Sequence, residues 1–182
     1  DLYAPFKVKR RTKATIAKEA GLEPLAERLL SNPALLPASE AKGFVSARKG
    51  VSDQDSALDG AREIIVEKMA ETPRLVRKIR ETVWTSGKLG SSLVKGKEAE
   101  GAKFADYFEF DEPINVMPSH RALALLRGQK EGILRVKLAV PHADPRDHPA
   151  VREICTEFGI ARKGRPGDDW LAETAQAAWK GK

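Results

Sequence analysis

Residues 52–87 read SDQDSALDGAREIIVEKMAETPRLVRKIRETVWTSG and carry the clearest helical signal in the chain. Ser52 begins the stretch with Asp55 three residues later, which resembles a capping box and places a carboxylate at the positive end of a helix. The apolar residues that follow form one stripe at helical spacing: Ala57, Leu58, Ala61, Ile64, Ile65 and Met69. Pro73 opens a second helix, which Gly87 stops. The pair predicts an antiparallel helical hairpin.

The segment before this hairpin predicts two shorter helices. Thr12 caps the first helix, which ends at Gly21. Pro24 opens the second, which ends before Asn32. Two short helices joined by a glycine-containing turn resemble a helix-turn-helix in outline. Residues 33–51 contain two prolines and two glycines and predict a loop.

The second half of the chain combines helices with one strand signal. Residues 87–101 are rich in glycine, serine and lysine and predict a flexible loop. Residues 133–140 alternate apolar and charged side chains between Gly132 and Pro141, which predicts a short strand with the extended N-terminal arm as its candidate partner. We therefore predict a mainly α fold: a multi-helix array with helical hairpins, a helix-turn-helix-like start and one short β element.

These elements define the predicted domain organisation. Residues 1–13 form a basic extended arm and residues 14–86 a helical subdomain. The loop at 87–101 leads into a second helical subdomain with the short strand, residues 102–182. The chain begins at Asp1 rather than at methionine and stops within a predicted helix, so we expect a fragment of a longer protein.

The composition is that of a globular, cytoplasmic protein. The chain has 182 residues, 41% of them apolar and 32% charged, with a formal charge of +6, which is too apolar for a disordered chain. Its apolar runs are only a few residues long, so no membrane span is expected. The single cysteine, Cys155, excludes an internal disulfide and suits a reducing compartment. On the apolar side of its helix, this thiol is expected to be buried and inert.

The densest positive charge lies at the start of the chain. Five cations occupy seven positions there: Lys7, Lys9, Arg10, Arg11 and Lys13. With Tyr3 and Phe6 nearby for stacking, this pattern is typical of a phosphate-binding segment of a nucleic-acid-binding protein. Two other interpretations stay open, namely a solvated linker and an arm that packs on acidic residues of this same protein.

A second candidate contact is the start of the helix that follows Pro118. Ser119 is a favourable N-cap, and the first turn would present His120 and Arg121 near the positive helix end, where anions bind. In the competing interpretation Ser119 only caps the helix and Arg121 pairs with a carboxylate of residues 106–112.

Residues suited to catalysis are few. The one cluster suited to zinc, manganese or iron is His142, Asp144, Asp147 and His148, although the neighbouring prolines favour a capped helix start in which Asp144 is the cap. Residues 87–97 resemble a phosphate loop but lack the Gly-Lys-Ser/Thr ending. We therefore expect no enzyme activity and no cofactor.

Several stretches of the chain resemble the bacterial Tex proteins, the transcription accessory factors. They are DLYAPFKVKRRTKA (1–14), GLEPLA (21–26), ALDGAREII (57–65), KFADYF (103–108), Glu112-Pro113, PSHRALALLRG (118–128) and EGIL (131–134). The resemblance implies a position in the helical N-terminal region of a parent protein. That parent would also contain an RNase H-like domain, helix-hairpin-helix modules and a C-terminal OB-fold that binds RNA.

Three functional hypotheses follow. The first is a non-catalytic scaffold module of a Tex-like factor that binds RNA or DNA through phosphates, alongside the remaining domains of its parent and the transcription machinery. The second is a metal-dependent hydrolase that uses the histidine and aspartate cluster. The third is a scaffold that docks proteins only.

Overall fold

The computed structural model describes residues 11–142, 147–161 and 163–181. Within these residues the helices are α1 (Lys13–Glu19), α2 (Glu23–Ser31), α3 (Pro37–Ala41), α4 (Gln54–Ala70), α5 (Pro73–Ser86), α6 (Ser119–Lys130), α7 (Pro149–Glu157) and α8 (Asp168–Lys180). The strands are β1 (Lys88–Leu93), β2 (Glu109–Pro113) and β3 (Leu134–Ala139). The mainly α class is confirmed. No helix in the described part of the chain is both long and apolar enough to cross a membrane.

The first helical segment is organised around α4. A capping box starts this helix one residue later than predicted: Asp53 accepts a hydrogen bond from the Ser56 backbone N–H at 2.7 Å, and Ser56 Oγ accepts one from the Asp53 N–H at 3.1 Å. The predicted apolar stripe is buried, with Ala57, Ala61, Ile64, Ile65 and Met69 inside. α4 packs against α1, α2, α3 and α8, whereas we predicted α5 as its antiparallel partner.

The described residues fall into two compact units. One contains the residues up to Val76 and those from Val151 onward; the other contains Arg77–Ala150. This division differs from the predicted one, because the C-terminal helix α8 packs back onto α4 and therefore belongs with the first helices. Gly60 allows α4 to approach α1 and the turn after it closely, since a Cβ there would lie 3.3 Å from Ala17 Cβ and 2.3 Å from Leu22 Cδ1.

The second unit is built on a three-stranded antiparallel sheet in the order β2-β1-β3. The predicted strand at 133–140 is confirmed as β3. β1 lies within residues 87–101, so that segment is not wholly a loop as predicted, and β1 pairs with β3. The extended arm predicted as the partner of β3 lies outside the described residues up to position 10. The core contains Phe104, Leu125, Ile133 and Leu134.

Candidate nucleic-acid interface

Two of the five cations at the start of the chain lie within the described residues, and both pair with carboxylates of the chain itself. Lys7, Lys9 and Arg10 lie outside the described residues. Arg11 forms an ion pair with Glu19 at 2.6 Å and Lys13 one with Glu63 at 3.6 Å. Both pairs are exposed to solvent, so each is worth only about 0–1 kcal/mol. The described part of this segment therefore matches the interpretation of an arm that packs on acidic residues, through pairs that a phosphate could replace.

A stronger polar contact holds α1 on α4. Lys18 Nζ donates to Glu67 Oε2 at 2.6 Å, and Thr12 Oγ1 donates to Glu67 Oε1 at 2.9 Å. The hydrogen bond from Glu67 raises the pKa of Lys18. Thr12 is the predicted cap of α1 and accepts from the Thr15 N–H. One carboxylate thus fixes both the start and the last turn of α1.

The start of α6 differs from its predicted form. Its N-cap is Pro118, without a side-chain cap, so Ser119 does not cap the helix. Arg121 donates to Glu112 Oε1 at 2.8 Å, which is the pairing with residues 106–112 that we kept as the competing interpretation. His120 is exposed. An anion at this helix start would have to displace Glu112 from Arg121.

Two of the four candidate metal ligands come together. The rings of His142 and His148 lie 4.5 Å apart, centroid to centroid. Asp144 is outside the described residues, and no group of three or more metal-ligating side chains forms among those that are described. His142 Nδ1 bonds to the Val140 carbonyl at 2.6 Å, and because a carbonyl only accepts, this nitrogen carries a proton.

His148 has a structural role instead. Its Nδ1 accepts from the Ala150 N–H at 3.1 Å, at the first turn of α7. α7 thus begins at Pro149, directly after His148. The predicted cap, Asp144, lies outside the described residues. Because that bond occupies the Nδ1 lone pair, a neutral His148 carries its proton on Nε2, the nitrogen a metal would need. Burial, followed by the nearby His142, lowers the pKa of His148.

Two further ionisable side chains are Cys155 and Asp168. Cys155 is half-buried and unoxidised, so it is less enclosed than predicted. Asp168 begins α8 and accepts from the backbone N–H groups of Lys163 and Arg165 at 2.7 and 3.0 Å. The Arg165 guanidinium adds a hydrogen bond at 2.9 Å and lowers the pKa of Asp168 to about 2.

A cationic face on α5 was missed by the sequence analysis. Arg77, Arg80 and Trp84 follow the spacing i, i+3, i+7, which places them within about 60° of arc around a helix. All three are exposed, and the two arginines have no ion-pair partner among the residues that the structure describes. The signal was present in the sequence, but we interpreted α5 only through its apolar stripe.

These features define a mainly α module with a small antiparallel sheet and an exposed cationic face on α5. The chain belongs to the Tex family, because the family model described as Tex central region-like matches residues 32–182. The resemblance found in the sequence is thereby confirmed.

Proteins similar to this chain include three bacterial relatives. Protein YhgF of Escherichia coli (strain K12) is 45% identical over 186 residues, covering 99% of this chain and 24% of the relative. Protein tex of Bordetella pertussis (strain Tohama I) is 44% identical over 99% of this chain and 24% of its own length. The transcriptional accessory protein Tex of Neisseria gonorrhoeae is 42% identical over 100% and 24%. The chain thus spans about a quarter of the length of these curated relatives.

Proposed function

We propose that this chain is a non-catalytic scaffold module of a Tex-like transcription accessory factor that binds RNA or DNA through phosphates. The observation that supports the first part is the family match, together with the name of the N. gonorrhoeae relative, a transcriptional accessory protein. The observation that supports phosphate binding is the density of cations at residues 7–13. Its partners would be nucleic acid, the remaining domains of its parent and the transcription machinery, in the cytoplasm.

In this proposal the basic arm makes sequence-independent contacts. Lys7, Lys9 and Arg10 would pair with phosphates directly. Arg11 and Lys13 would exchange Glu19 and Glu63 for phosphate oxygens, at a small cost because both pairs are exposed. His120 and Arg121 would be auxiliary contacts, and Arg121 would contribute less because Glu112 already holds it. Contacts to phosphates alone do not read base sequence.

The test is a titration of fluorescent duplex oligonucleotides at several salt concentrations. We expect dissociation constants of about 10⁻⁴ to 10⁻⁶ M at physiological salt, and a slope of log affinity on log salt near −2.7 if about three cations contact phosphates. Lys9→Gln with Arg10→Gln and Arg11→Gln should flatten that slope. The matched control replaces three exposed cations elsewhere: Lys42, Arg48 and Lys49. Equal effects of both triple variants, or no binding at all, would contradict the proposal, and the latter would favour a protein-docking scaffold.

Absence of catalysis is part of the same proposal. It is supported by the occupied Nδ1 of His148, because a neutral ring then carries its proton on Nε2 and offers no lone pair to a metal. We expect no divalent metal to survive dialysis. Stoichiometric zinc or manganese, detected by mass spectrometry and lost in the His142→Ala, His148→Ala double variant, would contradict this and revive the hydrolase hypothesis.

A further inference from the structure

The exposed indole on α5 is the starting observation. Trp84 is 58% exposed, the largest aromatic side chain on the described surface. Arg77 and Arg80 lie on the same face, and both are exposed. Residues Pro73–Ser86 carry four cations against one carboxylate, Glu81, so the helix has a net charge of +3. An exposed indole that adjoins other apolar side chains forms a patch of the kind that marks a binding surface, and the two arginines have no ion-pair partner among the described residues.

A shallow apolar depression of about 520 Å³ adjoins the indole. Ile79, Val83 and Ile114 line it with Trp84, and Arg80 and Glu81 lie at its edge. The turn that follows α5 fixes the position of the apolar residues that line this depression.

Gly87 is the residue that makes this turn possible. Its N–H donates to the Val83 carbonyl at 2.7 Å, and its own carbonyl accepts from the Ile114 N–H at 3.0 Å. A Cβ at this position would lie 2.3 Å from the Val83 oxygen and 3.3 Å from Ile114 Cδ1. The glycine therefore brings the end of α5 and the residue after β2 together, and the apolar wall beside Trp84 is preformed.

We propose that this α5 face is a binding site for single-stranded nucleic acid, in which a base stacks on Trp84 and Arg77 and Arg80 hold the adjacent phosphates. Unpaired bases stack on aromatic side chains next to cations, and this mode tolerates any base. In a duplex the bases are enclosed in the helix and cannot reach the indole, so the site should prefer single strands. The α5 face is a different surface from the basic arm, so this inference goes beyond the proposed function.

The arrangement of charge favours nucleic acid over an acidic protein segment as the occupant. The two arginines are one turn apart on one side of the indole, as needed for a charged backbone running past a stacked base. Glu81 is the one opposing charge on the helix. Its carboxylate would repel a phosphate, so Glu81→Gln should strengthen binding modestly.

The experiment compares three probes of equal length: a single-stranded DNA, the same backbone with abasic sites, and a duplex. Trp84→Ala should weaken binding of the single strand by about 5- to 150-fold and leave binding of the abasic strand unchanged, while Trp84→Phe retains most of the affinity. Arg77→Gln with Arg80→Gln should reduce the salt slope on the single strand by about 1.4, from about 0.7 per contact. The matched control, Arg135→Gln with Lys137→Gln, removes two exposed cations from β3 in the same unit.

Several outcomes would overturn the proposal. Unchanged single-strand affinity in Trp84→Ala would do so. Equal losses of affinity in the Arg77/Arg80 double variant and the Arg135/Lys137 double variant would also do so, because the loss would then depend only on net charge. Trp84-dependent binding of polyglutamate without binding of the single strand would assign the face to an acidic protein partner instead. If Trp84→Ala lowers the melting temperature, the Arg77 and Arg80 variant carries the test, because both side chains are on the surface.

This experiment is separable from the test of the arm. Lys9→Gln with Arg10→Gln and Arg11→Gln should change the salt slope on the duplex but preserve the preference for the base-bearing strand over the abasic one. Loss of that preference should occur only in the Trp84 variants. Failure of one proposal therefore leaves a different pattern from failure of the other.

Discussion

Helices α1 and α5 both carry cations, but within the described part of the chain those of α1 are paired, whereas two of those on α5 are not. Lys13 and Lys18 on α1 face Glu63 and Glu67 of α4. Arg77 and Arg80 on α5 form no ion pair with a carboxylate within the described part of the chain. The cations of α1 are neutralised by the helix on which they pack. The number of cations in a sequence therefore gives the amount of positive charge, but not the part of it that is free to bind phosphate.

The largest expected effect comes from separating α1 from α4. Gly60→Val places branched carbons where a single Cβ already lies 2.3 Å from Leu22 and 3.3 Å from Ala17. Overpacking of this kind costs about 1–3 kcal/mol, so thermal unfolding should show a melting temperature several degrees lower. Lys13 and Lys18 would lose their partners, and the α1 surface would come to resemble that of α5. Gly43→Ala is the control, because a Cβ there meets nothing within 4 Å.

An intermediate effect is expected at Asp168, which is paired with Arg165. Asp168 is 2% exposed, and its lowered pKa of about 2 compares with an ordinary value of 3.8. A depressed carboxyl pKa stabilises the fold above about pH 3.8, and that stabilisation is lost as the pH falls toward 2. Asp168→Asn should lower the melting temperature at pH 7 and flatten its pH dependence between about pH 4 and 2.

The control for this variant is Asp169→Asn, at the exposed neighbouring position. It should change neither the melting temperature at pH 7 nor the fall of the melting temperature between about pH 4 and 2. If the melting temperature falls equally with pH in the wild type and in Asp168→Asn, this carboxylate does not contribute to stability.

The smallest effect is expected at Glu67, which fixes α1 through Lys18 and Thr12. Glu67→Gln should cost about 0.5–1 kcal/mol, the range for partly exposed pairs. Because the pKa of Lys18 is raised above 10.5, the pair stabilises the fold below that pH and its contribution is lost as the pH rises through the folded value. The loss in free energy of unfolding, measured by urea denaturation, should therefore be present at pH 7 and become smaller in alkaline solution. Glu27→Gln, at an exposed position, is the control.

The helices could be predicted from the sequence where an apolar stripe and a cap agreed. α4 was predicted to within two residues at its start, because Ala57, Ala61, Ile64 and Ile65 recur at helical spacing. β3 was predicted because its apolar and charged residues alternate, as they do in a strand with one buried face. Their partners could not be predicted, since the stripe on α4 shows that one side is buried but does not specify which helix covers it.

β1 could not be predicted because its sequence has little strand character. KLGSSL contains no β-branched residue and includes a glycine and two serines. The buried position of this strand is taken by a polar residue, Ser91, which donates to the Tyr107 carbonyl at 2.6 Å. Long-range pairing on both sides holds this segment in the sheet.

The candidate sites were predicted less completely than the fold. The pairing of Arg121 with Glu112 was one of two interpretations that the sequence left open. The position of His148 at the start of α7 was not predicted, since Asp144-Pro145 gave the stronger cap signal. Whether a cation is free to bind a ligand depends on contacts between distant residues, such as Lys18 with Glu67, 49 positions apart. Local sequence patterns do not show such contacts.

The most direct test compares the two helices on one probe. Salt titrations of a single-stranded oligonucleotide should be measured for Arg77→Gln with Arg80→Gln and for Lys13→Gln with Lys18→Gln, which remove equal charge. We predict that the α5 variant reduces the salt slope by about 1.4, and that the α1 variant reduces it by less than half as much. An equal or larger reduction in the α1 variant would contradict the account, because it would show that cations paired with Glu63 and Glu67 are as available to phosphates as unpaired ones.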